Sequence, residues 1–282
     1  MIGLTSLALL ASVFLGVSDF LGGTIARRVK LVTVLLLSQL VATLVVLLRL
    51  FVESPFTDAG PAILWGVIGG VATAIAVASL FKALAIGTMG VVAPITSLGV
   101  VIPAVAGIVR GDSLSFLLVL GLIVAVIGTV FASGPELRRQ SEGGSRSIVL
   151  AVVAALGFGV ANLSLALGSV HNVTTTLLSN SLVVLLLFAG AACVRRTPPV
   201  ARGWPLIGII AIGLLGISAN LCFALASLAG ELSVVAVLAS LYPVVTVLLG
   251  WRILKERLQR SQLLGITAVF VGIAIVAATT AR

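Results

Sequence analysis

Apolar runs of about 20 residues recur along this chain, and they constrain its fold more than any other feature. A helix needs roughly 20 apolar residues to cross the hydrocarbon core of a bilayer. Barrel strands would alternate polar and apolar residues, which these runs do not. We therefore predict an all-α membrane protein with ten transmembrane helices, at Leu4–Thr24, Leu31–Phe51, Pro61–Ala85, Met89–Val109, Ser115–Ser133, Ser147–Ser169, Val173–Cys193, Trp204–Leu228, Leu232–Trp251 and Ser261–Thr280.

The composition excludes several other classes of protein. Hydrophobic residues make up 60% of the chain and charged residues 9%, which is too little polar surface to cover a soluble globule. The net charge is +9, but the basic residues are scattered between apolar runs, which argues against a nucleic-acid partner. Cys193 and Cys222 each lie inside an apolar run. They form no metal-binding pattern, so we predict neither a metal nor a cofactor.

Lys and Arg residues are unevenly divided between alternate loops. Of the 17, 14 lie in or beside the odd-numbered loops of the ten-helix scheme, and 3 lie on the other side. Because Lys and Arg accumulate on the cytoplasmic side of a membrane, this count predicts that the odd-numbered loops are cytoplasmic. Both termini are then expected outside.

The sequence also contains an internal repeat. Three regions match at an offset of 143 or 144 residues: 16–20 with 159–163, then 91–93 and 97–98 with 234–236 and 240–241, and lastly Gly121 and Gly128 with Gly265 and Gly272. We predict two five-helix repeats, at 1–133 and 147–282, joined by a polar cytoplasmic linker at 134–146. An odd number of crossings inverts the second repeat relative to the first, as in many transporters.

Three segments suggest a family. The first run contains Leu-Gly-Val-Ser-Asp-Phe at 15–20, the ninth contains Ser-Leu-Tyr-Pro at 240–243, and Lys-Glu-Arg-Leu follows at 255–258. With ten helices in two halves, this pattern resembles the EamA-type transporters of the drug/metabolite transporter superfamily. The resemblance implies an exporter of small metabolites or drugs in the bacterial inner membrane, driven by protons or by exchange. Members are often drawn with both termini in the cytoplasm, opposite to the charge count.

Asp19 and Lys82 are the two ionisable residues inside the predicted spans. Such residues are costly in a membrane and often functional. We expect the Asp19 carboxyl group to couple protons or bind substrate, with Lys82 as its partner. The alternatives are a structural ion pair, or a Lys82 side chain that extends to the membrane surface. The repeat places Asn162 at the position equivalent to Asp19.

Several polar residues and prolines complete the candidate site. Gln39, Asn162, Asn220 and Tyr242 are candidates to line a substrate cavity, although such residues also bond helix to helix. A proline frees a backbone carbonyl and can bend a helix. The hinge candidates are therefore Pro94, Pro103 and Pro243. Proline is also tolerated in membrane helices without such a role.

The sequence contains no motif for nucleophilic, metal or nucleotide chemistry. We therefore predict a secondary transporter that works by alternating access, rather than an enzyme. Its partners would be membrane lipid and a small solute, amino-acid-like or a drug, and the protein would be a monomer or a homodimer. The alternatives are a translocator of a lipid-linked precursor and a membrane protein that does not transport.

Overall fold

The computed structural model describes residues 2–51, 59–87, 89–112, 115–132, 144–196, 200–253 and 260–280, and in these ranges every regular element is a helix. The α-helices are α1 (Ile2–Ile25), α2 (Leu31–Arg49), α3 (Ala59–Ile86), α4 (Met89–Ser97), α5 (Val101–Val109), α6 (Phe116–Ala132), α7 (Gly144–Ser169), α8 (Val173–Val194), α9 (Trp204–Ala229), α10 (Leu232–Ala239), α11 (Tyr242–Ile253) and α12 (Arg260–Thr280).

Eight of the ten predicted apolar runs each form one helix, with ends within three residues of the prediction. The other two are interrupted. The fourth run forms α4 and α5 with a 3-10 turn between them at Leu98–Val100. The ninth forms α10 and α11, separated by Ser240 and Leu241. The structure therefore confirms ten apolar segments and corrects two of them from continuous to broken helices.

The C-terminal end of the linker predicted at 134–146 is helical in the structure. Residues 144–146, which are Gly-Ser-Arg, form the first turn of α7 ahead of its apolar run. Residues 134–143 lie outside the described part of the chain. The boundaries at 133 and 147 stay a prediction.

The helices are suited to a lipid surrounding. Within the described ranges, seven helical segments are long and apolar enough to cross a membrane, and three further apolar helices are shorter. Large apolar side chains lie on the outside of the bundle: Leu48, Leu186 and Leu264 are 65%, 68% and 70% exposed. A water-soluble protein rarely carries so continuous an apolar surface. The chain is an integral membrane protein.

Helices from the two parts of the chain pack in matching pairs. Helix α3 packs along α7 and α8, and α9 packs along α1 and α2. Helix α5 contacts α7 and α10, and α11 contacts α1 and α4. If each of α1–α6 is exchanged with the helix six numbers later, each of these contacts becomes another contact of the same structure. The contact of α2 with α8 and the contact of α6 with α12 are each converted into themselves by this exchange.

Two glycines show the same matching at atomic detail. A Cβ atom on Gly16 would lie 2.6 Å from both the Tyr242 carbonyl oxygen and Val245 Cβ. A Cβ atom on Gly159 would lie 2.6 Å from the Gly99 carbonyl oxygen and from Ile102 Cδ1. All three pairs of positions are 143 residues apart. Glycine at 16 lets α1 approach α11 closely, and glycine at 159 lets α7 approach the 3-10 turn and the start of α5.

Three side-chain contacts join segments that the ten-crossing scheme places on the same side of the membrane. Arg27, after α1, donates to the carbonyl oxygen of Leu84 at the end of α3 (3.3 Å). Arg49 Nε, at the end of α2, donates to Thr174 Oγ1 at the start of α8 (3.0 Å). The third contact joins the segment after α5 to the start of α10 and is described below. The packing therefore agrees with alternating crossings.

Candidate functional site

The polar side chains of six long helices meet in the interior of the bundle. Helices α1, α2, α3, α7, α8 and α9 enclose a cavity of about 100 Å³. A second cavity of about 60 Å³ lies toward the interruptions of the fourth and ninth runs. Asn162 and Asn220 line both cavities, so the two adjoin. The polar residues lining the larger cavity include Asp19, Gln39, Thr73, Asn162, Asn180 and Asn220.

Asp19 is buried, with 6% of its surface exposed, and lines the larger cavity. Its neighbours fix its position, because Gly16 packs against α11 and Ser18 Oγ donates to the carbonyl oxygen of Ile212 on α9 (3.4 Å). Among the described residues, none forms a hydrogen bond or an ion pair with the Asp19 carboxyl group. It is close enough to Tyr242 for an electrostatic interaction. Asp19 is thus a carboxyl group held at a cavity wall, with no hydrogen-bond or ion-pair partner in that part of the chain.

The structure does not bring Lys82 to Asp19. Phe81 lines the larger cavity, but the next residue on α3, Lys82, is exposed and does not line it. The expected ion pair between Asp19 and Lys82 is absent from the described residues, because successive side chains on a helix point about 100° apart. This position fits the alternative in which the Lys82 side chain extends to the membrane surface.

The four other cavity candidates all reach the interior. Gln39 Nε2 donates to the carbonyl oxygen of Ser181 on α8 (3.2 Å), so Gln39 also joins two helices. Tyr242 lines the smaller cavity. Its hydroxyl group shares a hydrogen bond of 2.8 Å with Thr96 Oγ1 on α4. Together with Asn162 and Asn220, these residues place hydrogen-bonding groups from both parts of the chain around one space.

Two of the three hinge candidates lie beside the interruptions. Pro103 is in the first turn of α5, just after the 3-10 turn, and Pro243 is the second residue of α11. Proline is tolerated in a first turn, where its missing N–H has no partner in the helix. Pro94 lies inside α4, which continues past it. Whether any of the three acts as a hinge stays a prediction.

Three further polar residues line the larger cavity and were missed as cavity residues from the sequence: Ser18, Thr73 and Ser181. Asn180 Nδ2 donates to Thr73 Oγ1 (3.4 Å), joining α8 to α3. The spacing of Thr73, Val77 and Phe81, four residues apart, places them on one face of α3. That spacing is the signal that could have found Thr73.

At the start of α10, a side chain from elsewhere in the chain supplies the helix cap. Asp112 Oδ2 accepts hydrogen bonds from the Ser233 backbone N–H (2.9 Å) and from Ser233 Oγ (2.7 Å). Gly107 on α5 lies against the same pair, so a Cβ atom there would be 2.7 Å from the Ser233 nitrogen. The contact fastens the end of α5 to the beginning of α10.

Comparison with known proteins identifies the second half of the chain. The model of the EamA-like transporter family matches residues 145–278. Residues 145–278 are an EamA-like transporter unit. The family belongs to the drug/metabolite transporter superfamily, so the resemblance predicted from the sequence is confirmed. Of the segments that suggested it, residues 255–258 lie outside the described part of the structure.

Other comparisons add the fold of the whole chain. One solved structure, described only as the crystal structure of a protein, matches with a TM-score of 0.77 and 17% sequence identity. The match covers 99% of this chain and 98% of the other. At this identity it shows the fold alone. No curated protein sequence matches the chain significantly.

The EamA-like family consists of transporters rather than enzymes. Among the described residues there is also no cluster of three His, Cys, Asp or Glu side chains that could hold a metal ion. The chain is therefore an integral membrane protein with a polar cavity between its helices, and its residues 145–278 match a family of transporters.

Proposed function

We propose that this EamA-like protein is a secondary transporter that exports a small solute across a bacterial inner membrane by alternating access. The observation that supports this most is the position of Asp19, whose carboxyl group lies at the wall of an internal cavity without a partner among the described residues. A charged group in a membrane protein is costly, and substrate and proton pathways are its usual setting. We assign Asp19 to proton or cation coupling.

The proposed architecture is two inverted repeats of five crossings. Its support is the matched packing, in which exchanging equivalent helices reproduces the contacts, and the offset of 143 residues between Gly16 and Gly159 with their neighbours. Transporters built in this way hold their substrate near mid-membrane between the repeats. Rocking of one repeat against the other would then open the cavity to each side in turn.

The contact between Asp112 and Ser233 is the proposed latch on one side. It joins the first repeat to the second through two hydrogen bonds, and the scheme places it outside the membrane core. Opening the cavity toward that side would separate α5 from α10 and break both bonds. The Gln39 bond to Ser181, at the crossing of α2 with α8, would persist, because this contact maps onto itself when the repeats are exchanged.

A resistance assay tests the transport proposal. Cells that express the full chain would be exposed to a panel of toxic amino-acid analogues and toxic amines, and growth would identify an exported solute. The Asp19→Asn variant removes the proton-binding group with little change in shape, so we expect it to abolish resistance while the protein still inserts in the membrane. Lys82→Met is the matched control, and it should leave resistance unchanged because Lys82 is exposed.

Unchanged resistance in Asp19→Asn cells, at equal protein level, would remove Asp19 from the mechanism. Resistance to no member of the panel would count against export. Reporter fusions at both termini test the orientation separately. The charge count expects both reporters outside, and the usual family drawing expects both in the cytoplasm.

A further inference from the structure

We propose that the solute recognised by this cavity is a compact organic cation that carries no carboxylate, with Asp19 as its counter-ion. The proposal rests on the transport function proposed above and narrows its substrate class. It replaces the amino-acid-like solute expected from the sequence with an amine or a quaternary ammonium compound. Three features of the described residues support it.

The first feature is the balance of charge at the cavity wall. Asp19 is the one charged side chain among the described residues that line the two cavities, and no Lys, Arg or His lines either of them. A cation could pair with the Asp19 carboxylate. A zwitterion would bring a second carboxylate with no positive side chain to receive it. An unpaired charge in an interior of low polarity is strongly unfavourable.

The second feature is the small number of N–H groups available for that carboxylate at the start of α11, beside one of the two interruptions that adjoin the smaller cavity. In other transporters the exposed N–H groups of a broken helix bind a substrate carboxylate. Here the second residue of α11 is Pro243, which has no N–H. The next N–H, of Val244, donates to the Leu241 carbonyl oxygen at 3.1 Å. Two of the first three positions of α11 therefore offer no N–H group to an anion.

The third feature is the remaining lining of the cavity. Phe81 and Phe158 line the larger cavity with Asp19. Aromatic rings attract cations, and quaternary ammonium ligands are often bound in this way. The side-chain oxygens of Asn162 and Asn180 can accept hydrogen bonds from an ammonium group. The volumes of about 100 and 60 Å³ restrict the solute to a compact one.

A pair of matched probes tests the proposal directly. Choline and glycine betaine share a trimethylammonium group, but betaine also carries a carboxylate, and neither crosses a bilayer readily. Isothermal titration of the purified full chain should show choline binding roughly 10- to 100-fold more tightly than betaine, as expected for one charge-assisted interaction. Lys82→Met should keep this preference.

Moving the carboxylate to another position in the cavity separates the effect of its charge on binding from any effect of the substitution on folding. Asp19→Asn should reduce choline binding to the level of betaine binding. The double variant Asp19→Asn/Asn162→Asp returns a carboxylate to the same cavity from the equivalent position on α7. It should recover the preference for choline, and thermal unfolding would confirm that each variant is folded. If Asp19→Asn does not fold, Asp19→Glu provides the test and should retain the preference.

The outcomes distinguish this proposal from the transport function. Betaine binding as tightly as choline, no choline binding at millimolar concentration, or a preference that survives Asp19→Asn would each overturn the cation proposal. Counterflow of labelled choline in proteoliposomes then tests transport. If choline binds but is not exchanged, the cation site stands and the carrier function fails. If labelled betaine is exchanged and choline is neither bound nor exchanged, the carrier stands and the cation site fails.

Discussion

Helices α5 and α11 occupy equivalent places in the sequence, but they differ in how deeply their first residues are buried and in the bonds that attach them to the bundle. The side chains of Val101, Val105 and Ile108 on α5 are 55%, 51% and 52% exposed. On α11, 143 residues later, the equivalent of Val101 is Val244, which is 5% exposed. At this position α11 is packed into the bundle and α5 lies on its surface, whereas Ile108 and its equivalent Trp251 are both exposed (52% and 47%).

A single substitution accounts for part of this difference. Thr246 Oγ1 on α11 donates to the Gly16 carbonyl oxygen on α1 (3.2 Å). The equivalent residue on α5 is Pro103, which has no side-chain donor, so no such bond can tie α5 to the Gly159 carbonyl oxygen. What fastens α5 instead is the contact of Asp112 with Ser233 just beyond its end. In the proposed transport cycle, α5 is therefore the helix freer to move.

The largest expected effect concerns the two glycines against which these helices pack. Gly16→Ala and Gly159→Ala should each destabilise the protein by about 1–3 kcal/mol, the usual cost of overpacking, because each new Cβ atom meets a backbone oxygen at 2.6 Å. Ile102 Cδ1 is the end of a flexible side chain and can move aside, whereas Val245 Cβ on α11 cannot, so Gly159→Ala should cost less than Gly16→Ala. Thermal unfolding in detergent measures both.

Gly190→Ala on α8 is the control, because nothing lies within 4 Å of its Cβ position. It should be neutral or stabilising by up to about 1 kcal/mol, from helix propensity alone. Equal costs at Gly16 and Gly159 would contradict the contrast between α11 and α5.

An intermediate effect is expected at the latch. Asp112→Ala removes both hydrogen bonds to Ser233 and should cost about 1–2 kcal/mol, the range for losing a helix cap. Ser233→Ala removes the hydroxyl donor but leaves the capped N–H, so its cost should be smaller. If the latch moves during transport, Asp112→Ala should also speed labelling of a cysteine placed at exposed Val109. Identical labelling in both proteins would show that the latch does not restrain α5.

The smallest effect is expected for the bond that distinguishes α11. Thr246→Val keeps the shape and removes the donor to Gly16, for which membrane proteins lose about 0.6 kcal/mol on average. The bond ends on Gly16 itself, so in a double-mutant cycle of Thr246→Val with Gly16→Ala the two losses of stability should not be additive. Additive costs would mean that the bond does not help to hold α11 in place.

Much of the fold can be predicted from the sequence, because the thickness of the lipid bilayer sets the length of each apolar run. The starts of α2, α4, α8, α9 and α10 coincide with predicted starts. The break at Ser240 and Leu241 was not predicted. Apolar content is continuous there, and only Pro243 marked the place. Whether a proline bends, breaks or merely caps a helix depends on its neighbours, and Pro94 lies in an uninterrupted α4.

The site was predicted in part. Polar residues are rare in so apolar a chain and are easily identified, but the sequence does not show which side chains point into the bundle. Asp19, Gln39, Asn162 and Asn220 stand out among leucines and valines, and all line the larger cavity. Lys82 stands out equally, yet lies on the exposed face of α3. Thr73 was overlooked because hydroxyl groups commonly satisfy themselves on their own helix.

The cap on α10 has a consequence for how the chain is made. Asp112 is translated 121 residues before Ser233, so its carboxylate is already present when the eight-residue α10 enters the membrane. A short helix gains little stability by itself, and the Glu231 side chain provides no cap of its own. The half of the chain that is synthesised first thus supplies the cap that stabilises α10, a fully buried helix of the later half.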